Sequence, residues 1–444
     1  MKVSISGVTF DSLKVSISGV RGIFGKDLNH TDIIHYCRNF STLAKSKKCV
    51  IGRDTRPSGE IVTNVAIATL LERGISVYNL GISPTPVIFR ESRKYGSGLI
   101  VTSSHNPLEW NGLKFILHGR GINEREMKQL TGDTKFQKIT FGDESQITSR
   151  YIDEAAKLIG RIKKSPKIVV DAGGGAAFNV APQLLRKIGC KTSVINATPG
   201  KSTRGPDPTS DKLSGLVQAS KKADIGFAFD LDGDRLVIVK NGKKKSPDVT
   251  LGLGIAGALE KGYKKFVLSI DTSIAVEKFI SEQGGKVNRS KVGEANVVDM
   301  MLKTKSQAGG EGSSAGFILP EFNMCRDGIL TSGLIASMVG TKQLEETIKF
   351  IEGYHQVRTK VSVDSKLHKK TLGILLKKMK KQSSQIITMD GIKSIIDEDS
   401  WVLVRQSNTE HIIRVSVESN DLNKAKSIEK QITELVKQSY EESR

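Results

Sequence analysis

The sequence predicts an α/β protein made of three related strand-and-helix units and a smaller C-terminal α+β domain. Three observations support this fold class. Apolar strand-like segments alternate with helix-like segments over most of the chain, and the alternation starts again twice. Such alternation is typical of α/β domains with mainly parallel sheets. The C-terminal part breaks the pattern, and a length of 444 residues leaves room for two to four domains.

The elements follow in order along the chain. The first unit contains "KKCVIGRDTR", a strand ending in a charged loop, the helix "SGEIVTNVAIATLLERG", and the strands "ISVYNLG" and "GLIVTSSHNP". The second begins at "PKIVVDAGGGAA" and passes through the helix "APQLLRKIGC" to "ADIGFAFDLDGDRLVIVKNG". The third places the strand "KKFVLSIDTS" between the helices "TLGLGIAGALEKG" and "IAVEKFISEQGG", and the tail adds strands such as "SWVLVRQS" and "HIIRVSVES". We expect domains over residues 1–148, 149–244, 245–352 and 353–444.

Composition indicates a cytoplasmic globular protein. Hydrophobic residues make up 38% of the chain, yet no apolar run approaches the ~18 residues that span a membrane. Residues 1–13 lack the apolar core of a signal peptide. The four cysteines are far apart and form no CxxC pair, which favours reduced thiols over disulfides or a zinc site. We therefore expect no membrane partner.

The formal net charge of +21 raises the question of nucleic-acid binding. The basic residues lie in short clusters that are not interleaved with aromatic residues, and no zinc-finger, RNA-recognition or KH motif accompanies them. Most of these residues indicate solvated surface, so we expect no nucleic-acid partner. The remaining positive field would favour an anionic small molecule in a cleft.

The stretch "FDLDGDRL" carries the clearest chemical pattern in the chain. It places Asp230, Asp232 and Asp234 within five residues, between two apolar strands. Three carboxylates this close repel one another, and burying them is costly without a cation. Hard oxygen donors suit Mg²⁺ or Mn²⁺. An acidic surface turn is the alternative, but the apolar runs on both sides favour a metal site.

The stretch "VTSSHNPLEWNGLKF" places Ser104 and His105 at the end of an apolar strand, where α/β sheets carry ligands. No GxSxG motif supports a hydrolase triad. An ordinary Asn-Pro turn would explain the loop taken alone. Beside a metal loop, Ser104 becomes a candidate carrier of a phosphoryl group, because a phosphoserine dianion needs a divalent cation and a lysine nearby. Lys114 is the candidate lysine.

Two further loops have the composition of binding loops. "VRQSNTEHIIR" offers a guanidinium, two hydroxyls and backbone N–H groups between two strands, which suits a phosphate but also a plain hairpin turn. "GGEGSSAGFILPEF" has glycines that allow close approach to a ligand, while Glu311 and Ser313 could hydrogen-bond sugar hydroxyls. A flexible surface loop would have the same composition.

Three other patterns carry no assigned chemistry. "GLGIAG" at residues 252–257 matches GxGxxG but follows no strand, which argues against a dinucleotide site. "DAGGGAA" follows a strand but lacks the Lys-Ser/Thr ending of a P-loop. "KVSISGV" occurs at residues 2–8 and again at 14–20, a repeat that two neighbouring strands of similar pattern would produce.

Taken in their order along the chain, the four loops resemble those of the α-D-phosphohexomutases, in particular the archaeal-type branch. The resemblance covers nearly the whole chain. It also includes "SGVRG", "GRDTRPSG", "RGPDP" and "KVGEANV". It implies four domains around a central cleft, three of them related α/β domains. It also implies transfer of a phosphoryl group between the 6- and 1-positions of a hexose or hexosamine phosphate, through a phosphoserine and a sugar 1,6-bisphosphate.

Carried over motif by motif, the resemblance assigns the phosphoryl-carrying role to Ser104. It assigns one Mg²⁺ per subunit to Asp230, Asp232 and Asp234 together with an oxygen of phosphorylated Ser104, and a sugar 1,6-bisphosphate as activator. It lines the reaction centre with Arg21, His105, Lys114 and Arg235. It assigns substrate binding to the following residues: Lys291, Glu311, Ser313, Arg405, Ser407, Asn408 and Thr409.

The sugar loop here reads "EGSSAG", without the histidine that many members carry, so the preferred sugar stays open. Glucosamine phosphate is our first expectation, and mannose or glucose phosphate is the alternative. A sugar phosphatase with the same phosphoserine and metal, and a basic nucleic-acid-binding protein, are the rival hypotheses. We expect a small-molecule sugar phosphate as the partner and a monomer or homodimer as the assembly.

Overall fold

The computed structural model describes residues 13–134, 139–382, 385–407 and 411–444, and these residues form four sheets with flanking helices. The predicted α/β class, with three related units and a smaller C-terminal domain, is confirmed. The second "KVSISGV" copy forms the first strand, a turn and the start of the second strand. The first copy lies outside the described residues.

The first sheet has eight strands and four flanking helices. Its strands are β1 (Lys14–Ser16), β2 (Gly19–Ile23), β3 (Lys48–Arg53), β4 (Ser76–Ile82), β5 (Ser97–Val101), β6 (Trp110–Leu117), β7 (Arg120–Gly121) and β8 (Glu144–Gln146). Its helices are α1 (His30–Ala44), α2 (Gly59–Glu72), α3 (Thr85–Tyr95) and α4 (Glu124–Leu130). The strand order is β1-β2-β6-β5-β3-β4-β8, and β7 pairs with β6.

The second and third sheets follow with their helices. The second comprises α5 (Tyr151–Ile159), β9 (Lys167–Asp171), α6 (Ala177–Lys187), β10 (Lys191–Ile195), α7 (Ser214–Ala219), β11 (Ile225–Phe229), β12 (Leu236–Lys240) and β13 (Lys243–Lys244). The third comprises α8 (Pro247–Glu260), β14 (Lys265–Ser269), α9 (Ile274–Glu282), β15 (Lys286–Ser290), α10 (Glu294–Thr304), β16 (Ala308–Glu311), β17 (Gly316–Ile318), α11 (Gly328–Met338) and α12 (Lys342–Glu352). Their strand orders are β10-β9-β11-β12-β13 and β15-β14-β16-β17.

The fourth sheet is antiparallel and is covered by two helices. It comprises β18 (His355–Ser362), α13 (His368–Gln382), β19 (Ile386–Ile387), β20 (Ile392–Asp397), β21 (Ser400–Gln406), β22 (Ile412–Ser419) and α14 (Leu422–Glu441), in the strand order β18-β22-β21-β20-β19. Hairpins need only short connections, which explains why this part of the sequence lacks the strand-then-helix alternation.

Three of the sheets share one four-strand arrangement. The orders β4-β3-β5-β6, β10-β9-β11-β12 and β15-β14-β16-β17 each contain two parallel pairs followed by one antiparallel pair. The loops β5–β6, β11–β12 and β16–β17 are therefore equivalent. These loops carry the candidate serine, the three aspartates and the candidate sugar residues, respectively.

Hydrophobic packing joins the units to different degrees. One core is confined to the first sheet and its helices, and another to the fourth sheet. A single large core runs through the second and third units and also includes Val87 of α3, so the second and third units pack as one body that the first unit contacts. A small cluster of Ile270, Trp401 and Leu403 connects the third unit to the fourth sheet.

The motifs left without chemistry have structural explanations. "GLGIAG" lies inside α8, where added side chains at Gly252 and Gly254 would collide with Ile351 and Phe317. Close helix packing explains these glycines. All four cysteines are free and buried. Among the residues that the structure describes, no helix combines the length and the hydropathy needed to cross a membrane.

Candidate active site

The loop between β11 and β12 gathers three buried carboxylates. Asp230, Asp232 and Asp234 are each at most 1% exposed, and one oxygen from each lies within 4.8 Å of the others. The Asp-Gly step at Gly233 has a φ of +72°, which a glycine adopts without strain. Behind this loop, Gly175 of the "DAGGG" stretch packs so closely against Leu231 that a Cβ would not fit.

Ser104 lies at the start of the β5–β6 loop and is 1% exposed. Its φ of +52° is a left-handed conformation, which is strained for a residue other than glycine. Its backbone N–H donates to Thr102 Oγ1 at 2.8 Å, which helps to hold this conformation. Strain maintained by the surrounding structure is common at functional sites.

Arg56 holds the same loop through hydrogen bonds, and its side chain is buried together with that of its ion-pair partner Asp54. Its guanidinium donates to the carbonyl oxygens of three loop residues and of the first residue of β6: Ser104 (2.6 Å), Asn106 (2.8 Å), Pro107 and Trp110 (2.8 Å). Its Nε donates to Asp54 Oδ2 at 3.0 Å, and the same oxygen accepts from Thr102 Oγ1 at 2.6 Å. The serine loop is therefore fixed by a buried charge as well as by its turn.

The structure brings the serine and the acidic loop together. Ser104 Oγ donates to Asp230 Oδ2 at 3.1 Å, although 126 positions separate the two residues. His105 Nδ1 lies 3.3 Å from the same hydroxyl. The nearby Arg235 charge, with burial and the charge of Arg21, holds the pKa of His105 far below its usual range. The imidazole is therefore neutral.

Three cations neutralise the acidic loop. Lys114 Nζ lies 2.7 Å from Asp232 Oδ2 and 3.4 Å from Asp234 Oδ2. Arg326 Nη2 lies 2.7 Å from Asp234 Oδ2, and Arg235 Nε lies 3.8 Å from Asp230 Oδ2. Burial lowers the pKa of Lys114, but the two aspartates outweigh burial and raise it. Lys114 is therefore an ammonium at neutral pH.

The pKa values of the aspartates are shifted in different directions because their neighbours differ. Burial and the charges of Asp232 and Asp234 raise the pKa of Asp230 well above its usual value. Burial also raises the pKa of Asp232, but the charge and hydrogen bond of Lys114 outweigh it and lower the pKa.

The acidic loop fits a hard divalent cation. The Oδ1 atoms of Asp232 and Asp234 are buried and have no hydrogen-bond partner among the described residues. Buried carboxylate oxygens without partners are costly, and a cation satisfies them. An all-oxygen donor set is typical of Mg²⁺, and Ser104 Oγ borders it.

Arg21 and the third unit complete the surroundings. Arg21, on β2, is partly exposed, and burial of its guanidinium lowers its pKa to about 10, so it stays charged at neutral pH. Glu311, at the end of β16, accepts from Arg326 Nη1 at 2.9 Å and from the Gly293 N–H at 2.5 Å. Arg326 therefore connects the candidate sugar loop with the aspartate loop. Ser313 Oγ donates to Asp271 Oδ2 at 2.8 Å.

The candidate phosphate loop lies on the fourth sheet, apart from the carboxylates. Arg405 Nη2 pairs with Asp390 Oδ2 at 2.9 Å, and the Ser407 N–H donates to the Ile412 carbonyl. Lys291 is exposed and follows β15. Asn408 and Thr409 lie outside the described residues.

Comparison with protein families matches four consecutive models along this chain. They are the phosphoglucomutase/phosphomannomutase α/β/α domains I (residues 13–140), II (149–243) and III (246–354), and the C-terminal domain of the same family (360–435). The chain belongs to the phosphoglucomutase/phosphomannomutase family. A probable phosphoglucosamine mutase from Thermococcus kodakarensis is 31% identical, with 96% of this chain and 98% of that protein covered. A phosphoglucomutase/phosphomannomutase from the same organism is 34% identical, with coverage of 92% and 95%.

Solved structures of phosphohexomutases share the fold. A family member from Burkholderia thailandensis superposes with a TM-score of 0.82 at 23% identity, covering 96% of this chain and 98% of that one. The N-acetylphosphoglucosamine mutase of Aspergillus fumigatus, solved with GlcNAc-6P and magnesium, gives a TM-score of 0.60 at 11% identity, covering 98% and 97%. At these identities the likeness shows the fold alone.

Sequence reasoning missed Arg56 and Arg326, which organise the site of this family member. Arg56 lies in "GRDTRPSG", a stretch that contributed to the resemblance without a role for any single residue. Its position just after a buried strand was an available signal, because ligand sites lie at that edge of the sheet. Arg326 had a weaker signal: a lone cation two residues before the apolar helix α11.

Proposed function

We propose that this chain is a phosphohexomutase that interconverts hexosamine or hexose 6-phosphates and 1-phosphates, with glucosamine phosphate as its preferred substrate. The observation that carries the proposal is the hydrogen bond from Ser104 Oγ to Asp230, inside a group of three buried carboxylates. A serine at this position can carry a phosphoryl group, because the charge of a phosphoserine is balanced there by a cation and by lysine.

The reaction we infer has two phosphoryl transfers. In the first, the bond between phosphorus and Ser104 Oγ breaks while the free sugar hydroxyl forms a new bond to phosphorus. The hydroxyl proton ends on Ser104 Oγ, and the imidazole Nδ1, 3.3 Å from Oγ, supports His105 as its relay. The resulting 1,6-bisphosphate turns over and returns its other phosphate to Ser104. The same bisphosphate would act as activator by phosphorylating an empty enzyme.

The chain's own residues would divide the work as follows. Asp230, Asp232 and Asp234 would hold Mg²⁺, which when bound supplies positive charge next to the transferring group. Lys114, Arg21 and Arg235 would stabilise the equatorial oxygens of that group. Glu311, Ser313 and Lys291 would contact the sugar. Arg405 and Ser407, with Asn408 and Thr409, would hold the distal phosphate.

Glucosamine is the sugar we favour among the alternatives. The matched relatives include several named probable phosphoglucosamine mutases and one named phosphoglucomutase/phosphomannomutase. The loop "EGSSAG" offers Glu311, whose carboxylate could pair with the amino group of a glucosamine. Glucose and mannose have a hydroxyl at that position and would gain a weaker, uncharged hydrogen bond.

The decisive experiment replaces the proposed nucleophile. We expect Ser104→Ala to lower turnover of glucosamine 6-phosphate at least about a thousandfold while leaving the melting temperature near that of the wild type. Ser103→Ala, a change of the same size on the adjacent residue, serves as the matched control. Turnover in Ser104→Ala within a few-fold of the wild type would remove Ser104 from the mechanism.

A second assay separates the mutase from a phosphatase and identifies the sugar. Glucosamine, N-acetylglucosamine, glucose and mannose 6-phosphates are incubated with enzyme, Mg²⁺ and the matching 1,6-bisphosphate, and phosphorus NMR follows both isomers and free phosphate. The proposal predicts 1-phosphate formation, fastest for glucosamine, with little free phosphate. Stoichiometric release of inorganic phosphate would favour the phosphatase.

A further inference from the structure

Asp390 connects the proposed phosphate anchor to the third unit. It lies in the bend before β20, and its Oδ2 contacts two nitrogen groups. One is the Arg405 guanidinium, with Nη2 at 2.9 Å, and the other is the backbone N–H of Val292, also at 2.9 Å. Val292 belongs to the "KVG" loop that carries Lys291. One carboxylate oxygen thus holds both the anchoring cation and a substrate loop of another unit.

The backbone next to Asp390 is shaped around Arg405. Gly391 has a φ of +86°, a left-handed conformation that favours glycine. A Cβ at Gly391 would collide with the Val404 carbonyl and with Cγ of Arg405. The arginine stem therefore lies directly against the turn. A side chain held both at its stem and at its head loses much of its rotamer freedom before any ligand arrives.

Arg405 keeps donors for a ligand while it is held. Only its Nη2 is paired with Asp390, and its Nε is buried without a partner among the described residues. A phosphate oxygen at this face of the guanidinium would satisfy that donor. Asp390 and a phosphate could therefore share one guanidinium.

We propose that Asp390 is a positioning residue of the distal-phosphate site, which fixes the Arg405 guanidinium relative to the Lys291 loop. The inference rests on the proposed function, because it assigns Arg405 to the substrate's phosphate. Preorganisation of this kind lowers the entropy that binding costs. The negative charge of Asp390 opposes a phosphate, but its ion pair with Arg405 and the hydrogen bond that it accepts from the Val292 N–H direct that charge away from the ligand.

A double-mutant cycle tests whether Asp390 acts through Arg405. In a Ser104→Ala background, which removes turnover, calorimetry measures the Kd of glucosamine 6-phosphate for Asp390→Asn, Arg405→Ala and the combination. We expect Asp390→Asn to raise Kd roughly tenfold, the equivalent of one charge-assisted hydrogen bond. In the Arg405→Ala background the same change should have no further effect.

A matched control and a conservative variant complete the design. Asp397→Asn removes another carboxylate of the fourth sheet, one paired with Lys424 at 2.6 Å, and should leave Kd unchanged. Asp390→Glu keeps the charge and should recover part of the affinity. In the turnover-competent enzyme, Asp390→Asn should raise KM with kcat nearly constant, as expected for binding lost equally from ground and transition states.

The outcomes separate the inference from the function on which it rests. An unchanged Kd in Asp390→Asn, or an equal loss with and without Arg405, would overturn the role of Asp390 alone. An unchanged Kd in Arg405→Ala would overturn the phosphate anchor and the inference together. A Ser104→Ala parent that binds none of the four hexose and hexosamine 6-phosphates would overturn the proposed function itself.

Discussion

Replacing Arg56 by methionine is predicted to loosen the serine loop without touching any reacting group. The side chains of Arg56 and Asp54 are both fully buried. Methionine keeps much of the length of the stem but removes the guanidinium. Asp54 then loses its ionic partner, and the carbonyl oxygens of Ser104, Asn106, Pro107 and Trp110 lose a common donor.

The magnitude follows from these losses. Removing one partner of a buried ion pair costs about 3–5 kcal/mol, because a charge is left without compensation. Each orphaned carbonyl could add about 1–3 kcal/mol, but a loop that opens toward solvent recovers most of this by hydration. We therefore expect a loss of about 5 kcal/mol in the stability of the first unit. A displacement of Ser104 by about 1 Å should also lower kcat about a hundredfold.

Hydrogen exchange of residues 102–112, together with kcat, measures both effects. In a protein with several domains, local exchange reports the first unit more directly than one melting temperature. Arg53→Met is the matched control, since Arg53 makes a 3.7 Å pair with the exposed Glu60 and one long hydrogen bond, 3.4 Å, to the Asp54 carbonyl, and its loss should cost less than about 1 kcal/mol. Asp54→Asn combined with Arg56→Met should recover part of the loss. Unchanged exchange and kcat in Arg56→Met would refute this role of Arg56.

Two further predictions concern the charges between units. Arg326→Met leaves Asp234 and Glu311 without their shared cation, so the melting temperature in EDTA should fall by several degrees. Adding Mg²⁺ should then raise the melting temperature of the variant by more than it raises that of the wild type, which thermal scans with and without metal would detect. Burial lowers the pKa of Lys393 to about 7. Between about pH 7 and pH 10 the unfolded chain therefore binds a proton that the folded chain lacks, and the free energy of unfolding should rise with pH. Lys393→Met should flatten this rise, and equal slopes for the two proteins would contradict the assignment.

Much of the fold could be predicted because its signals are local. The alternation of apolar strands and helices identifies the α/β units, and the change to closely spaced strands marks the fourth sheet. Sequence periodicity could not reveal that β6, β12 and β17 run antiparallel to the strands before them. The side-chain pattern of a strand depends on which face is buried, and a central strand buried on both faces looks the same in either direction.

The site was predictable to the extent that its chemistry lies in short stretches. Three aspartates in five residues and a serine-histidine loop are visible in the sequence, and the structure places Ser104 beside Asp230. Arg326 could not be predicted in this way, because its three acidic partners Asp234, Glu294 and Glu311 come from separate parts of the chain. Arg56 acts on backbone carbonyls, which any residue provides, so its partners leave no trace in the sequence.

The shared four-strand arrangement explains why the chemistry converges. Equivalent loops of three sheets supply Ser104, the aspartates and Glu311. Each unit therefore contributes the corresponding edge of its sheet to the candidate active site. Two ion pairs at this centre join different units: Lys114 of the first sheet pairs with Asp232 of the second, and Arg326 of the third unit pairs with Asp234. A cation bound by Asp232 and Asp234 would draw on the same carboxylates that hold these cations. A bound metal ion and the inter-unit cations Lys114 and Arg326 would therefore compete for Asp232 and Asp234, so metal binding would be linked to the contacts among the three units.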